Sequence, residues 1–188
     1  MDAMRYAVEA GEPALAGDIV EDAGGVRLYL REGIVQFQAA HRLLTEDAVA
    51  ARPRLALVRC VSLLLSGRMD EARARYGSLA GAVDGLQVDA SGAELELAAD
   101  HCVVRGMMLL YGSESMGSTM MRTHLADVAR LAESPHLDVL TRGVLGYSLC
   151  LAGNLTGNIG EALDHAARAR QCLGQSRYLS AGRTRLGR

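Results

Sequence analysis

Residues 63–76, LLLSGRMDEARARY, lead from an apolar run through a single glycine into a segment that opens with Asp70 and Glu71. Apolar residues at spacings of three and four predict a helix before the glycine. Glycine commonly ends a helix, because it takes a positive φ without strain. Acidic residues in the first turn of the next helix interact favourably with its dipole, by about 0.3–1 kcal/mol each. The stretch therefore predicts two antiparallel helices joined at Gly67.

The same pattern recurs along the chain. Gly67, Gly112 and Gly157 stand 45 residues apart, and each follows a helical pattern. An alanine stands five residues after two of them, at Ala72 and at Ala162. A side chain larger than alanine at those positions would push apart two helices that cross close to their turn. Self-similarity at such a period is typical of helical repeat arrays, so the sequence predicts a stack of antiparallel hairpins.

Hydrophobic periodicity, interrupted by glycine and proline, predicts an all-α chain of five hairpin units in one domain over residues 1–188. No convincing stretch of the sequence alternates with the period of two expected for a half-buried strand. The hairpin units cover about residues 4–22, 26–51, 53–82, 93–133 and 136–173.

Within these units, a break at Gly33 is expected to precede a long helix. Helices are predicted, among others, over residues 34–51, 136–152 and 159–173, with connections over residues 84–92, 112–118 and 153–158. The end of the chain, residues 176–188, carries four arginines and is either the start of another helix or a frayed tail.

The composition fits a helical core and excludes some reaction classes. Apolar residues make up 49% of the chain but aromatic residues only 4%, so the core is expected to consist mainly of Leu, Val and Ala. All 20 basic residues are arginine, which excludes chemistry that requires a lysine, such as a Schiff base or the phosphate-binding lysine of a P-loop. The net charge of −2 argues against a surface that coats nucleic acid.

The reactive residue types form no recognisable site in the sequence. The five histidines lack metal-ligand spacing, so neither a metal nor another cofactor is predicted. Ser113, Ser115 and His124 occur without the G-x-S-x-G elbow that exposes a nucleophile, so the chain is predicted not to be an enzyme. Four cysteines without a C-x-x-C pair are predicted to be reduced core thiols of a cytoplasmic protein that makes no membrane contact.

Two resemblances to known families follow from these motifs. Gly67, Ala72, Tyr76 and Leu79 resemble the tetratricopeptide pattern, which implies hairpins stacked as a right-handed superhelix. The run HRLLTEDAVAARPRLALVRCVSLLLSGRMDEARARY, preceded by AVEAGEPALAGDIVEDAG, resembles the helical sensor region of MalT-like, LuxR-type bacterial transcription activators. The most characteristic pieces are Arg-Pro-Arg-Leu at 52–55 and Gly-Arg-x-Asp-Glu-Ala at 67–72.

The second resemblance implies a role in regulation. In that family an ATP-binding domain precedes the helical region and a DNA-reading helix-turn-helix follows it. This sequence contains neither a G-x-x-x-x-G-K-[ST] motif nor a recognisable reader, so it is expected to be the middle of such a protein and not to bind DNA itself. The implied function is to bind a small-molecule inducer or a regulatory protein and relay that event to neighbouring ATPase and DNA-binding domains. The alternative is a free-standing scaffold that recognises protein or peptide segments.

The tetratricopeptide resemblance also suggests a binding face. The first helix of each repeat lines the concave side of such arrays, which selects Arg54, His101, Arg105 and Tyr147 as candidate ligand or partner residues. Arginine donors and a stacking tyrosine suit an anionic or hydroxyl-rich ligand. The alternative is an ordinary solvated face, since long charged side chains are mostly exposed.

Overall fold

A computed structural model describes residues 2–83, 92–111 and 119–185, with side chains through residue 174 apart from those of Ala80 and Tyr111. In this part of the chain all regular structure is helical and no strand occurs, which confirms the all-α class. The chain divides into two compact units, Met1–Leu86 and Gln87–Arg188. The assignment of one domain over residues 1–188 stays a prediction.

The N-terminal unit consists of short helices around one buried helix, α5. Its described elements are α1 (Asp2–Glu9), α2 (Pro13–Asp22), a 3-10 turn (Gly25–Arg27), α3 (Leu28–Arg42), α4 (Glu46–Ala51), α5 (Pro53–Leu65), α6 (Met69–Ser78) and α7 (Ala80–Val83). Leu55, Leu57, Val58 and Val61 of α5 are at most 1% exposed although they point to several sides of the helix. A helix that is apolar on most sides belongs in a core, and α5 contacts α2, α3, α4, α6 and the 3-10 turn.

The segment before α5 has a specific packing role. Arg52 pairs with Asp18 and lies 3.4 Å from Glu21, so it links α5 to α2. Pro53 then begins α5 at a position where its missing N–H costs nothing. A Cβ on Gly17 would lie 2.9 Å from Leu55 Cδ1, so this glycine permits α2 to approach α5 closely.

The C-terminal unit is built around one long hairpin. Its described helices are α8 (Ala93–Tyr111), α9 (Thr119–Glu133), α10 (Val139–Leu155) and α11 (Ile159–Arg185). Three glycines of α10 face α11: Cβ atoms built on them would lie 3.0 Å from Leu173 at Gly143, 3.5 Å from Ala169 at Gly146, and 3.1 Å from Ala162 at Gly153. The missing side chains bring the two backbones close together along most of the hairpin.

Three of the hairpins turn in the same way. Gly11, Gly67 and Gly157 have φ values of 79°, 74° and 79°. The next residue in each case donates its N–H to the carbonyl five residues earlier, over 2.9 Å from Glu12 to Ala7, 2.9 Å from Arg68 to Leu63 and 2.8 Å from Asn158 to Gly153. These bonds are those of the Schellman motif, which satisfies the last carbonyls of a helix. The turns at Gly67 and Gly157 are confirmed, whereas Gly112 lies outside the described residues.

A buried alanine follows each of these turns. Ala16, Ala72 and Ala162 stand five residues after the three glycines and are 0%, 0% and 5% exposed. The predicted burial of Ala72 and Ala162 is therefore confirmed. The hairpin over residues 4–22 was predicted, with its turn at Gly11, but not as a copy of the glycine–alanine pattern, because Gly11 does not stand at the interval of 45 residues. The offset of five between glycine and alanine was the signal that would have found it.

Several predicted boundaries are wrong. The helix predicted over 34–51 is two helices, because α3 ends at Arg42 and Thr45 Oγ1 accepts a bond from Ala48 N, 3.3 Å away, to cap α4. The break predicted at Gly33, just before this helix, is confirmed, because Gly33 has the non-helical φ of 82° and ψ of 171°.

The fifth hairpin also differs from its prediction. The predicted helix start at 136 is wrong, since Asp138 accepts a bond from Thr141 N, 3.1 Å away, and caps α10. The connection to α11 is shorter than the predicted 153–158, because α10 continues to Leu155. The chain end continues α11 as far as Arg185, so it is not a separate helix. The predicted connections 84–92, except Gly92, and 112–118 lie outside the described residues.

Replacing Gly67 by alanine is expected to lower the free energy of unfolding by roughly 1 kcal/mol, because Gly67 has a φ of 74° and a Cβ strains that conformation. Gly77→Ala is the matched control, since Gly77 lies within α6 with open space around it. There alanine is expected to stabilise by about 0.5–1 kcal/mol through helix propensity. Thermal unfolding of both variants checks this, and two changes of the same sign would contradict the turn geometry.

Candidate functional site

The four predicted binding residues are divided between the two units. Arg54 lies on α5 of the N-terminal unit and is half-buried. His101 and Arg105 lie one turn apart on α8 and are half-buried, and Tyr147 lies on α10 with 58% of its surface exposed. Their joint role as a binding surface stays a prediction. The structure places His101 and Arg105 together in a polar cluster with α9.

This α8–α9 cluster consists of His101, Arg105, His124, Asp127 and Arg130. Asp127 accepts from Arg130 over 2.6 Å and lies 4.0 Å from the Arg105 guanidinium. His124 is 3% exposed, and a Cβ on Gly106 would come within 3.2 Å of its Nε2, so this glycine leaves room for the ring. The cluster therefore ties α8 to α9 through one carboxylate shared between two arginines.

The buried ring of His124 is neutral at pH 7. Burial, followed by the charge of Arg105, lowers its pKa to about 4. Its Nδ1 has no hydrogen-bond partner in the structure. A general acid or base must reach a substrate proton, and a ring this deeply enclosed does not. The role of His124 that the geometry supports is packing between the two helices.

A second polar group lines a cavity of about 220 Å³ in the N-terminal unit, between α3 and α5. The lining includes Gln38, His41 and Arg42 from α3, Arg59 and Ser62 from α5, and Arg68 from the turn that follows. Spacings of three and four place the contributions of each helix on one face. The α3–α5 cavity thus lies where a polar face of α3 meets the polar stripe of the apolar helix α5.

The floor of the α3–α5 cavity is a histidine paired with a serine. His41 is 8% exposed and Ser62 is 6% exposed, with His41 Nδ1 at 3.1 Å from Ser62 Oγ. Burial, followed by the charge of Arg59, lowers the pKa of His41 to about 4, so the ring is neutral at pH 7. Its Nε2 is buried without a partner. A serine–histidine nucleophile needs a third group to orient the imidazole, and none bonds to Nε2 here.

The rim of the cavity is cationic. Arg59 pairs with Glu46, which also accepts from Arg75 over 2.9 Å, while the Nε of Arg59 is buried and unpartnered. Arg68 is held by Glu71, with Nε 2.6 Å from Oε1. Arg42 is exposed and has no ion pair among the described residues.

A larger concavity of about 510 Å³ lies between α4, α5 and α6. Small side chains dominate this α4–α6 groove, with Ala50, Ala56 and Ala74 in its lining, and Glu71 and Arg75 add one charge of each sign.

Nothing in the sequence alone distinguishes His41 or Ser62 as a site residue. Arg59, Ser62 and Ser66 follow one another at spacings of three and four within an apolar helix, and this stripe was the available signal. This stripe does not indicate that His41 is its partner, because His41 and Ser62 are 21 residues apart and meet only through the packing of α3 on α5.

The prediction that the four cysteines lie in the core is confirmed for two of them. All four are free, Cys60 and Cys102 are buried, and Cys150 and Cys172 are half-buried. Burial raises the pKa of Cys60 to about 11 and that of Cys102 to about 12, so these two thiols are poor nucleophiles at pH 7.

The described residues contain no group of three or more His, Cys, Asp or Glu side chains placed to hold a metal ion. Nor does any helix in the described ranges have the length and apolar character needed to cross a membrane. Comparison with known protein families, curated proteins and solved structures finds no match to this chain.

Proposed function

We propose that this chain is a non-enzymatic binding module, the sensor region of a MalT-like, LuxR-type transcriptional regulator. It binds a small-molecule inducer or a regulatory protein in the cytoplasm and relays the event to ATPase and DNA-binding domains of a parent protein, without contacting nucleic acid or membrane itself. The supporting observation is the repeated hairpin, in which a glycine of positive φ is followed five residues later by a buried alanine in both units.

The repeated hairpin favours binding over catalysis for a physical reason. Helical repeats contact mainly their neighbours, so their stability needs no central site and their outer faces remain available to partners. In the proposed arrangement the hairpins stack as a tetratricopeptide-like right-handed superhelix. Small shifts between adjacent hairpins then transmit binding to the ends of the array. The two buried histidines of the described chain lack the accessible, oriented geometry that acid–base or nucleophilic chemistry requires.

The genomic coding sequence provides the first test of this function. A helix-turn-helix reader encoded in frame after residue 188, and an ATP-binding domain encoded before residue 1, are the expected findings. A stop codon directly after residue 188, together with no ATP-binding domain upstream, would overturn the regulator role.

The second candidate function is a scaffold that recognises peptide segments, and the α4–α6 groove favours it. A groove of small residues between three helices suits an inserted side chain or an extended peptide. Calorimetry separates the candidates: saturable heat with small metabolites supports the sensor, and binding of displayed peptides alone supports the scaffold. Ala74→Glu is expected to abolish peptide binding, with Arg73→Glu on the same helix, outside the groove lining, as the control.

A further inference from the structure

We propose that the tip of the α10–α11 hairpin is a docking surface for a second copy of this chain, which it binds by the arginine-rich end of α11. The α10–α11 tip is defined by Leu155, Ile159 and Leu163, which are 55%, 51% and 66% exposed. Leu155 ends α10 and Ile159 begins α11, while Ile159 and Leu163 lie one turn apart on the same helix face. Large apolar side chains that are grouped at the surface mark interaction sites, whereas single ones need no explanation.

The tip of the α5–α6 hairpin has the same turn but a different surface. Six residues after its turn glycine stands Arg73, where α11 has Leu163. Arg73 donates to Asp70 over 3.2 Å, so this position is occupied by a charge that is both solvated and paired. The turn geometry therefore does not require a leucine at this position, and the exposed Leu163 needs another explanation.

The charges at the two tips differ in the same way. Glu71 of α6 is paired with Arg68, whose Nε lies 2.6 Å from Oε1. The corresponding residues of the α10–α11 tip are Glu161 and Asn158, so the carboxylate has no arginine beside it. Glu161 and Asp164 are exposed and make no ion pair with any described residue. An occupant that carries positive charge beside apolar side chains complements this tip.

The complementary charge lies at the other end of α11. The arginine nearest to the tip along the helix is Arg168, whose Nη1 lies 3.6 Å from Oε1 of Glu133 on α9. Residues 175–188 carry four arginines and no acidic residue, and they include the apolar side chains of Tyr178, Leu179 and Leu186. This arginine-rich end therefore has the composition that the tip requires of its occupant.

One copy cannot bring its own tip and arginine-rich end together. Both lie on α11, which is a single helix from Ile159 to Arg185. A helix rises 1.5 Å per residue, so Leu163 and Arg183 are about 30 Å apart along it. The two surfaces therefore meet only between copies, and because they are unlike, the contact adds copies head to tail. This contact does not depend on the proposed regulator role, since it uses only residues of the C-terminal unit.

Sedimentation velocity of the full chain over a range of concentrations tests the docking surface. Species larger than a dimer are expected to grow with concentration, because a head-to-tail contact leaves a free surface at each end. They are expected to dissociate at about 1 M sodium chloride, where the screening length falls to about 3 Å. A chain that stays monomeric at every concentration, or association that salt does not weaken, would overturn the proposal.

Matched variants separate the tip from the rest of the surface. Leu163→Arg introduces at the tip the residue type that α6 has there, and it is expected to weaken self-association at least about tenfold. Met120→Arg makes the same change of charge at an exposed apolar position of α9 and is expected to have no effect. Equal association constants for the two variants would show that the tip is not the docking surface.

Mixing two defective variants tests the identity of the occupant. The double variant Arg183→Glu, Arg185→Glu reverses charge in the arginine-rich end and is expected to be monomeric alone, as is Leu163→Arg. Their mixture is expected to form dimers and nothing larger, because one copy supplies an intact end and the other an intact tip. A mixture that stays monomeric would overturn the proposal. So would binding of an unrelated basic peptide to the tip without self-association, which would assign the surface to another protein.

Discussion

Ala72→Leu is expected to lower the free energy of unfolding by about 1–3 kcal/mol. Ala72 is fully buried on α6, five residues after the Gly67 turn, where α6 packs against the core helix α5. A leucine adds three carbon atoms at a point where the two helices have not yet diverged, so either the side chain leaves its preferred rotamer or the helices separate. Urea unfolding followed by circular dichroism measures the loss.

Ala74→Leu is the matched control for this change. Ala74 lies two residues further along the same helix and is exposed, so the same substitution adds the same carbons without crowding the core. Its effect is expected to stay within about 0.5 kcal/mol. A larger loss from Ala74→Leu than from Ala72→Leu would mean that α6 presents a different face to α5.

The hairpin at Gly157 shows why a larger residue in place of the buried alanine is expected to destabilise other hairpins as well. A Cβ on Gly153 would come within 3.1 Å of Ala162 Cβ and 3.3 Å of its backbone, so the two helices approach almost to backbone contact there. No flexible side-chain end can yield at this point. A glycine followed five residues later by a buried alanine therefore indicates that two helices pack at short distance next to their turn.

Much of the helical pattern could be predicted from local sequence. The turns at Gly67 and Gly157 and the burial of their alanines follow from residue properties that act within one turn of helix. The break between α3 and α4 was missed because apolar spacing continues across it, and only the cap at Thr45 marks the new start. A cap depends on a single side chain, so periodicity over a long window does not detect it.

The α3–α5 cavity shows the limit of the same approach for sites. The polar stripe on α5 is visible in the sequence. Its partner His41, however, contacts Ser62 only after two helices have packed together. His101 and Arg105 are predicted from their place on the first helix of a repeat, and they lie in a polar cluster whose buried member is His124. The sequence suggests for His124 only a pairing with nearby serines. Side-chain type can be read from sequence, whereas the pairing of side chains across packed helices cannot.

Acidification from pH 7 to pH 4.5 is expected to destabilise the protein by about 2–3 kcal/mol for each of His41 and His124. Both rings have a pKa of about 4 in the folded state, against 6.5 when exposed, with burial as the main cause. Below pH 6.5 the unfolded chain takes up a proton that the folded chain does not. The stability is therefore fully present above pH 6.5 and is lost as the pH falls towards 4.

Chemical unfolding at several pH values between 7 and 4.5, in buffer free of phosphate and acetate, measures this loss. His41→Gln keeps a hydrogen-bonding group beside Ser62 but removes the titration, so the slope of stability against pH is expected to fall by about 1.4 kcal/mol per pH unit. His124→Gln is expected to lower it by a similar amount in its own unit. Asn154→Gln, at an exposed position without an ionisable group, serves as the control and should leave the slope unchanged. If all three variants keep the slope of the original protein, the two rings are hydrated in solution, and the packing described for α3 on α5 and for α8 on α9 is wrong.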